Sequence, residues 1–595
     1  MRRKIADFIK MIKKLSPFIA PYKGKFFGAV LMVVVSVAAM TIAPSVEGMI
    51  TTQLAKDAGE MAAKAEGAGV HFDIVIRILI VLLIIYLIKT LSQVFASFFL
   101  TDSIQNAMHD MRNAVQDKIR RLPVKYFDTH SFGDTLSRLT NDIEAVSNAL
   151  QQSFTEVIRG IMTIILALVM MFAIQPVMAW LGVAIIPLSI LISQGVVKKS
   201  QGQFKAQQDA LGELNGTITE LYSGYNELLL YGRQEEAEKQ FKGINGALQK
   251  HAFKAQFMSS IMSPLISLVT YLCIGAAAVM GCFFVISGTI TVGNLQAFIR
   301  YIWQVNDPLS QVSQLSTQIQ AAFAALKRII EILDAEEEVA EAESPRHIWN
   351  VKGNVEFEDV SFGYTDRAVI KNLDMHVSSG QMVAIVGPTG AGKTTIINLL
   401  LRFYDVDSGR ILVDGVDIRD MKREELRSMF GMVLQDTWLF SGTIYENIRY
   451  GRLGARKDEV IDAARMANVH HFIRTLPGGY NMMINEEGNN ISQGEKQLLT
   501  IARAILKDPK ILILDEATSS VDTRLEKMLQ NAMHKVMEGR TSFVIAHRLS
   551  TIKNADKIMV LREGSIEEVG THEELMSENG YYKQLYNSQF AWQEM

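Results

Sequence analysis

Residues 387–395 read Gly-Pro-Thr-Gly-Ala-Gly-Lys-Thr-Thr and fit the pattern G-x4-G-K-[ST]. The pattern follows the apolar, strand-like segment Met382–Val386 and opens the helix-like segment Ile396–Leu401. Glycines there let backbone N–H groups approach an anion, Lys393 is placed to neutralise β and γ phosphates, and Thr394 to ligate Mg²⁺. A chance glycine-rich turn is disfavoured by the flanking strand and helix. The predicted nucleotide-phosphate site consists of Gly387, Pro388, Thr389, Gly390, Ala391, Gly392, Lys393, Thr394 and Thr395.

A second apolar segment, Ile511–Leu514, ends in two acids, Asp515 and Glu516. An acid at the carboxyl end of a strand beside the phosphate loop can hold Mg²⁺ through water, which we expect of Asp515. The next acid, Glu516, can orient or deprotonate an attacking water. Acids often end strands, so this pair is informative only together with the loop. The two patterns together predict ATP hydrolysis.

The composition indicates a chain of several domains, part of it in a membrane. The chain has 595 residues and a formal net charge of -3, so more than one domain is expected. Near-neutral charge gives no reason to expect nucleic acid as a partner. The positive mean hydropathy indicates membrane insertion of one part. Cys273 and Cys282 share one apolar stretch, which predicts neither a disulfide framework nor a metal site.

Six apolar runs are long enough to cross a hydrocarbon core, which takes ~20 helical residues. These runs lie at 26–50, 74–100, 154–175, 177–197, 258–287 and 294–316. The polar connections 101–153 and 198–257 keep helical spacing and would project ~40 Å beyond the lipid bilayer. A buried soluble helical core is the alternative. The charge asymmetry described next disfavours it.

The N-terminal segment 1–25 carries eight basic residues against one acid, Asp7. The positive-inside rule therefore places it in the cytoplasm, and six spans return the C-terminal half to the same side. An acidic stretch closed by Ser344-Pro345 precedes a region in which strands and helices alternate. The predicted domains are an amphipathic elbow at 1–25, a transmembrane domain at 26–333, a linker at 334–353 and a nucleotide-binding domain at 354–595.

Further motifs resemble those of the ABC ATPases, and the resemblance covers essentially the whole chain. Tyr364 in Val-Ser-Phe-Gly-Tyr matches the aromatic residue that stacks on adenine, and Gln435 in Val-Leu-Gln-Asp matches the glutamine that contacts Mg²⁺ and water. Asp522 in Ser-Ser-Val-Asp matches the acid that links paired sites, and His547 in Ile-Ala-His-Arg matches the histidine at the γ-phosphate. A strand aromatic and a structural histidine are the alternatives for Tyr364 and His547.

The resemblance implies the type IV exporter fold of bacterial multidrug and lipid half-transporters. This fold has an all-α six-helix transmembrane domain and a cytoplasmic α/β P-loop ATPase domain with an antiparallel β subdomain and a helical subdomain. Leu122–Phe127 and Glu220–Gly224 resemble the cytoplasmic loops that carry short coupling helices in this family. We therefore expect both loops to seat on ATPase domains.

The family signature, usually Leu-Ser-Gly-Gly-Gln, reads Ile-Ser-Gln-Gly-Glu at 491–495. In the family it closes over the ATP of the partner, so Ser492 and Gly494 are expected to contact that nucleotide. Gln493 adds a side chain where glycine permits close approach. Glu495 adds an anion near an anion, which at ~6 Å and an effective dielectric of ~20 costs roughly 2–3 kcal/mol. We therefore favour a heterodimer with one hydrolytic and one degenerate ATP site over a homodimer that tolerates the variant.

The sequence says less about the transported molecule. Aromatic residues in the spans suit an amphipathic cargo, although most such residues pack or face lipid. Ionisable groups at membrane depth are costly and therefore informative. The substrate candidates are Glu47, Trp303 and Asp307. For the acids, pairing with Arg159 or Arg300, or a position closer to water, is an equally good interpretation.

The predicted function is ATP-driven export of small amphipathic molecules across a bacterial plasma membrane, by a multi-pass protein with cytoplasmic termini. Its cofactors are ATP and Mg²⁺, and its partner is a second ABC half-transporter. An importer on the same scaffold and an ATP-gated channel or regulatory subunit are the alternatives. The catalytic acid Glu516 disfavours the channel, because a gate alone has less need of hydrolysis.

Overall fold

The computed structural model of the protein describes residues 13–63, 69–434, 437–485, 490–515, 523–546 and 549–589. These residues form two compact units. The helical unit contains the chain up to Arg121 and again His130–Ala335. The nucleotide unit contains Leu122–Thr129 and the chain from Glu336 onward.

The chain from Lys23 to Asp334 is almost entirely α-helical. Its helices are α1 (Lys23–Ala62), α2 (Phe72–Ile119), α3 (Val124–Thr129), α4 (Phe132–Ser137), α5 (Ile143–Asn148), α6 (Phe154–Ile174), α7 (Pro176–Ser223), α8 (Tyr225–Tyr231), α9 (Gln234–Ser260), α10 (Met262–Ile286) and α11 (Val292–Asp334). Two π-helical segments, Arg138–Asp142 and Ala149–Ser153, continue the run between α4 and α6. Five of the predicted spans each fall on one helix apart from terminal residues, and the span 258–287 begins in the last turn of α9 and continues through α10.

Among the described residues, five helical segments are long and apolar enough to cross a membrane. They are Lys13–Ala62, Phe72–Ile119, Phe132–Ile174, Pro176–Ser223 and Gln234–Ile286. The sixth predicted span lies on α11, which is 43 residues long but less apolar. Its Phe298, Tyr301 and Val305 are nevertheless fully buried in the core of the helical unit.

The short turns between spans follow from local backbone chemistry. α7 begins with Pro176, directly after the extended residue Gln175, and proline is favoured at the first helical position. Between α10 and α11, Gly288 adopts a left-handed φ of +73°. The hydroxyl of Thr291 then caps α11 by accepting a hydrogen bond from the Asn294 N–H.

The two polar connections are helical extensions of the spans. α2 runs for 48 residues, which is ~72 Å at 1.5 Å per residue. α7 is also 48 residues long. The segment Glu220–Gly224, predicted to belong to the second cytoplasmic loop, contains the end of α7 at Ser223 and the turn residue Gly224, and the short helix α8 follows directly.

The nucleotide unit contains two larger sheets and a short ribbon among the described residues. Its strands are β1 (Val355–Phe362), β2 (Ile370–Val377), β3 (Met382–Val386), β4 (Ser408–Val413), β5 (Val416–Asp417), β6 (Phe430–Val433), β7 (Gly442–Thr443), β8 (Met483–Ile484), β9 (Ile511–Asp515), β10 (Thr541–Ile545), β11 (Lys557–Arg562) and β12 (Ser565–Gly570). The antiparallel sheet has the order β2-β1-β4-β5. The main sheet has the order β12-β11-β3-β10-β9-β6, parallel except for β12.

Helices cover the main sheet and form a separate helical part between β6 and β9. They are α12 (Lys393–Leu400), α13 (Arg423–Met429), α14 (Ile444–Arg449), α15 (Lys457–Met466), α16 (His470–Thr475), α17 (Gln493–Lys507), α18 (Thr523–Met537), α19 (Leu549–Lys553), α20 (His572–Ser577) and α21 (Tyr581–Gln589). β10 is buried along its whole length and β9 up to Leu514, as expected of central parallel strands. The predicted α/β domain with antiparallel and helical subdomains is confirmed.

Candidate functional site

The loop after β3 has the backbone of a phosphate cradle. β3 ends at Val386, and α12 begins at Lys393. Between them, Gly390 and Gly392 have φ of +85° and +104°, which side-chain-bearing residues rarely adopt. A Cβ on Gly392 would lie 2.6 Å from Ile370 Cδ1. Both conformation and space therefore require glycine at 392, where the chain turns into the helix.

The side chain of Lys393 hydrogen-bonds to the backbone of this loop. Its Nζ donates to the backbone oxygens of Gly387 (2.7 Å) and Pro388 (3.0 Å). Burial lowers the pKa of Lys393, and the negative charge of Asp515 opposes that shift. The ammonium group of Lys393 is therefore only partly solvated. An anionic phosphate bound in the loop would compensate its positive charge.

The strand register brings Asp515 to the level of the loop. Ile545 on β10 pairs with Ile385 on β3 and with Asp515 on β9. Asp515 thus lies at the carboxyl end of the sheet, level with the last residues before Gly387. Ligands of open parallel sheets bind at this edge. Thr394 and Asp515 supply hydroxyl and carboxylate oxygens, which are the donor types that Mg²⁺ prefers.

Four predicted site residues, Gln435, Glu516, Asp522 and His547, lie outside the described residues. Gln435, Glu516 and His547 nevertheless follow strands of the main sheet by one or two residues, since β6 ends at Val433, β9 at Asp515 and β10 at Ile545. These strands are neighbours in the order β3-β10-β9-β6 and run parallel. Strands β6, β9 and β10 therefore all end at the edge of the sheet that carries the phosphate loop.

Tyr364 lies beside the loop helix within an aromatic cluster. Its ring makes edge contacts with Phe362 and Tyr404, each at a centroid distance of 5.0 Å. Its hydroxyl donates to Thr395 Oγ1 (3.3 Å) and accepts from Asn398 Nδ2 (3.2 Å). The structure thus ties Tyr364 to two side chains of α12. Thr395 itself is buried and faces this tyrosine.

Tyr404 is a site residue that the sequence analysis missed. Its hydroxyl hydrogen-bonds to the Asp128 carboxylate on α3, the short helix of the first polar connection. Burial raises the pKa of Tyr404, and the hydrogen bond to Asp128 adds to the shift. No spacing pattern marks Tyr404, because its partners are distant in sequence. Together these contacts form a continuous path from Asp128 through Tyr404 and Tyr364 to Thr395.

The acidic linker is fastened to the nucleotide unit. Glu338 forms ion pairs with Arg423 (3.1 Å) and Arg427 (3.2 Å), and the Arg423 side chain is only 8% exposed. The Arg423 N–H also donates to the Glu341 carboxylate (3.0 Å). Further on, the imidazole of His347 hydrogen-bonds to Glu425 (2.6 Å). The sequence predicted a linker from composition, and the structure shows that part of it packs on α13.

The signature segment forms the start of α17. Ser492 precedes the helix, Gln493 is exposed, and Gly494 is buried. The Glu495 carboxylate accepts hydrogen bonds from the Ser492 N–H (2.9 Å) and from its hydroxyl (2.6 Å). Glu495 therefore caps its own helix, which favours a negative charge at this end. The charge estimate above treated Glu495 as an unengaged anion, whereas its carboxylate is held at Ser492.

In the helical unit, Glu47 lies within a polar contact group. Its carboxylate accepts from the Tyr86 hydroxyl (2.6 Å) and lies 3.8 Å from a guanidinium nitrogen of Arg300. The alternative in which Glu47 pairs with Arg300 is therefore what the structure shows. Asp307 is exposed in this chain. Trp303 makes an edge contact with Tyr271 at a centroid distance of 5.3 Å.

A polar cavity of about 430 Å³ lies between α1, α2 and the helical run of α6. Arg159 lies at its wall and pairs with Glu156 in the same helix (2.7 Å). Glutamine, serine and threonine side chains line much of the rest, among them Gln93, Gln151 and Gln152. The cavity therefore offers charges of both signs and amide groups beside apolar residues.

A glycine loop between a buried parallel strand and a helix defines a P-loop nucleotide-binding unit, and long apolar helices define a membrane unit. Residues 26–309 match the family model described as "ABC transporter transmembrane region", and residues 370–519 match that described as "ABC transporter". The chain belongs to the ABC transporter family. It is a multi-pass membrane protein with an ATP-hydrolysing domain and the architecture of an exporter.

Two relatives and one solved structure illustrate the similarity. A fatty acid ABC transporter ATP-binding/permease protein of Mycobacterium tuberculosis (strain CDC 1551 / Oshkosh) is 45% identical over 520 residues, covering 87% of this chain and 82% of that protein. An ATP-dependent lipid A-core flippase of Syntrophus aciditrophicus (strain SB) is 35% identical over 486 residues, covering 82% and 81%. A bacterial Atm1-family ABC exporter with ATP bound superposes with a TM-score of 0.73 at 27% identity, covering 96% and 99%.

Proposed function

We propose that the protein exports amphipathic, lipid-like molecules across a bacterial plasma membrane as one half of a dimeric ABC exporter. Both termini lie in the cytoplasm, as the basic segment 1–25 favours. The observation that carries the proposal is the phosphate cradle closed by Lys393, in a chain that also contains long apolar helices. The same ATPase domain serves many cargoes, so the cargo class is argued from the helical unit.

In this proposal, Mg²⁺ and ATP bind at the carboxyl edge of the main sheet. Lys393 neutralises the terminal phosphates, and Thr394 with Asp515 and Gln435 holds Mg²⁺, partly through water. Glu516 orients the attacking water, and His547 contacts the γ-phosphate. Tyr364 stacks on adenine, and Asp522 links the paired sites. Bound Mg²⁺ supplies charge neutralisation for phosphoryl transfer.

The amphipathic cargo class is supported by the polar groups of the helical unit. Glu47 is compensated by Arg300 and Tyr86, which removes much of its attraction for a free organic cation. The cavity beside Arg159 and Glu156 combines charged, amide and apolar groups. Such a lining suits a molecule with a polar head and an apolar body. The names of the two relatives, for fatty acid and lipid A-core, fit this class.

A second half-transporter is supported by the surface of α8. This short helix and the last turn of α7 before it expose large side chains, with Tyr222, Leu230 and Tyr231 each more than 70% exposed. Apolar clusters of this kind are costly in water and mark contact surfaces. We assign α8 as the second coupling helix, which in this family seats on an ATPase domain.

We propose further that the partner is a different chain with an intact signature. Glu495 keeps a negative charge at the point where the family's signature faces the partner's phosphates, and it engages the Ser492 hydroxyl. A phosphate approaching this helix start would meet a like charge and a hydroxyl already donating elsewhere. The composite site that uses this signature would then hold nucleotide, and the site around Glu516 would hydrolyse it.

Purification alone and with the candidate partner tests the asymmetric pair. We expect low ATPase activity of the lone chain, much higher activity of the pair, and loss of the pair's activity with Glu516→Gln in this chain. The matched control is the same substitution at the corresponding acid of the partner, which should have little effect. Equal activity of the lone chain, abolished by its own Glu516→Gln, would refute the heterodimer.

Transport into inside-out vesicles tests direction and cargo class. A fluorescent fatty acid should accumulate with Mg-ATP and not with a non-hydrolysable analogue, and a permanent organic cation should accumulate less. Cargo leaving such vesicles would indicate an importer. Ion current without stoichiometric ATP use would indicate an ATP-gated channel, which is the alternative function in which no cargo is pumped.

A further inference from the structure

The end of α1 and the start of α2 hold a buried carboxylate away from the nucleotide site. The Asp57 side chain is 1% exposed. It accepts hydrogen bonds from the Gln53 side chain (2.7 Å), from the His71 backbone N–H (3.0 Å) and from His71 Nδ1 (2.8 Å). His71 directly precedes α2, so these contacts join the ends of the first two spans on the side of the membrane opposite the N-terminus.

A second carboxylate completes a three-residue group. Glu60 lies three residues after Asp57 in α1, and residues at this spacing share one face of a helix. One potential ligand atom each of Asp57, Glu60 and His71 lies within 4.8 Å of the other two. Asp57 is buried, Glu60 partly buried and His71 exposed, so the group opens to solvent at the imidazole.

This group has the chemistry of a transition-metal site. Carboxylates and imidazole are the oxygen and nitrogen ligands of Zn²⁺, with bonds of about 2.0–2.2 Å. Two such ligands on a tetrahedral ion lie about 3.3 Å apart, close to the 2.8 Å between Asp57 Oδ1 and His71 Nδ1. The ion would take the place of the proton between these two atoms, and that proton is released to solvent.

Charge favours a cation at this position. Asp57 places a carboxylate, which is a metal ligand in its deprotonated form, at a buried position next to the imidazole of His71. Glu60 adds a second carboxylate within reach of the same ion. A divalent ion would compensate this concentration of acids more fully than one protonated imidazole.

We propose that Asp57, Glu60 and His71 bind a divalent transition-metal ion, best Zn²⁺, with water completing the coordination. The ion fastens the end of α1 to the start of α2, and so restrains the first two spans where they meet. This site is independent of ATP and of the identity of the cargo.

Zinc titration of the purified, tag-free full chain in lipid nanodiscs tests the site. After treatment with a chelator, calorimetry should reveal one stoichiometric Zn²⁺ site. Glu60→Gln leaves the hydrogen bonds between Asp57 and His71 in place and should weaken Zn²⁺ binding by more than about tenfold, as loss of one ligand of three should. His71→Gln should weaken it at least as much.

The matched controls change the same residue types outside the group. Asp73→Asn removes a neighbouring acid, and His109→Gln removes an exposed histidine of α2; both should bind Zn²⁺ within about twofold of the unmodified chain. Circular dichroism of each variant, compared with that of the unmodified chain, verifies that it is folded. The proposal is overturned if the unmodified chain shows no saturable site, or if Glu60→Gln and His71→Gln bind as the controls do.

Discussion

At the residue scale, single side chains at helix starts determine the nucleotide chemistry. Lys393 opens α12 inside a glycine loop and donates to two backbone oxygens of that loop. Glu495, in the first turn of α17, points its carboxylate back to Ser492. The start of α12 thus carries a cation that can bind an anionic ligand. The start of α17, in contrast, already carries a carboxylate.

Neutralising Glu495 tests the second of these statements. Glu495→Gln should raise the ATPase activity of the lone chain several-fold, because the like charge near the incoming phosphate is removed. Stability should change little, since glutamine at this position can form the same cap. Glu538→Gln, at an exposed acid outside the signature, is the control and should leave the rate unchanged. An unchanged rate in Glu495→Gln would show that this charge does not limit hydrolysis.

Gly392 provides a residue-scale test of the cradle. Gly392→Ala should reduce the free energy of unfolding of the nucleotide unit by about 1–3 kcal/mol, because alanine is strained at this φ and its Cβ meets Ile370. ATP binding should weaken in parallel. Gly243→Ala, in the exposed helix α9 with open space around it, should instead stabilise by about 0.5–1 kcal/mol. Chemical denaturation followed by fluorescence measures both changes in the free energy of unfolding. If Gly392→Ala changed it no differently from Gly243→Ala, the requirement for glycine at 392 would be contradicted.

At the element scale, the short helix α3 lies in contact with the aromatic cluster beside the phosphate loop. α3 is a six-residue helix, yet its Asp128 reaches Tyr404, whose ring contacts Tyr364 beside α12. The linker is fastened in the same unit through Glu338. A movement of α3 therefore reaches the phosphate loop through a few side chains in direct contact.

Removing one hydroxyl tests this path. Tyr404→Phe keeps the ring contact with Tyr364 but loses the hydrogen bond to Asp128, so basal ATPase should stay within about twofold while cargo moved per ATP falls. Asp128→Asn should give a similar loss, and the double variant should be no worse than either single one, because both changes remove one interaction. Additive losses, or a loss of ATPase alone, would contradict the path.

The linker contact makes a prediction about stability. Glu338→Gln should reduce the free energy of unfolding of the nucleotide unit by about 1–2 kcal/mol, since it leaves the buried Arg423 guanidinium without that carboxylate. Glu336→Gln, at an exposed acid two residues earlier, should change it by less than about 0.5 kcal/mol. Thermal unfolding of the full chain in detergent compares the two. An equal effect of both substitutions would show that the ion pair adds nothing.

The sequence was most informative where chemistry depends on local spacing. The order of strand, loop and helix around Lys393 follows from glycine, lysine and a flanking apolar run, so the cradle could be predicted without a structure. The capping contact of Glu495 was also readable, because Ser492 and Glu495 stand at the spacing of a capping box. It was missed because the segment was compared with the family signature alone.

Long-range contacts could not be predicted in this way. Tyr404 meets Asp128 across 276 positions of the chain. The sequence offered Arg159 and Arg300 equally as partners of the acids, and only the packing of α1 against α11 selects Arg300 for Glu47. Hydropathy likewise does not mark the break at Gly224 that separates α7 from α8. In each case the missing information is the three-dimensional packing of distant segments.

At the scale of the whole molecule, an ATP-hydrolysing unit and a membrane unit are joined in one chain. The membrane unit contributes long helices that extend beyond the lipid, and the nucleotide unit includes α3 from within that helical region. A second half-transporter would complete this organisation. In the proposed cycle, ATP closes two nucleotide units, and hydrolysis at Glu516 resets them.

Transport by purified protein in vesicles, with and without Glu516→Gln, tests the coupling of hydrolysis to movement most directly. The protein with its partner should accumulate a fluorescent fatty acid in inside-out vesicles when Mg-ATP is added. Glu516→Gln should abolish both phosphate release and accumulation while ATP still binds. Accumulation that continues at the normal rate in Glu516→Gln would contradict the account.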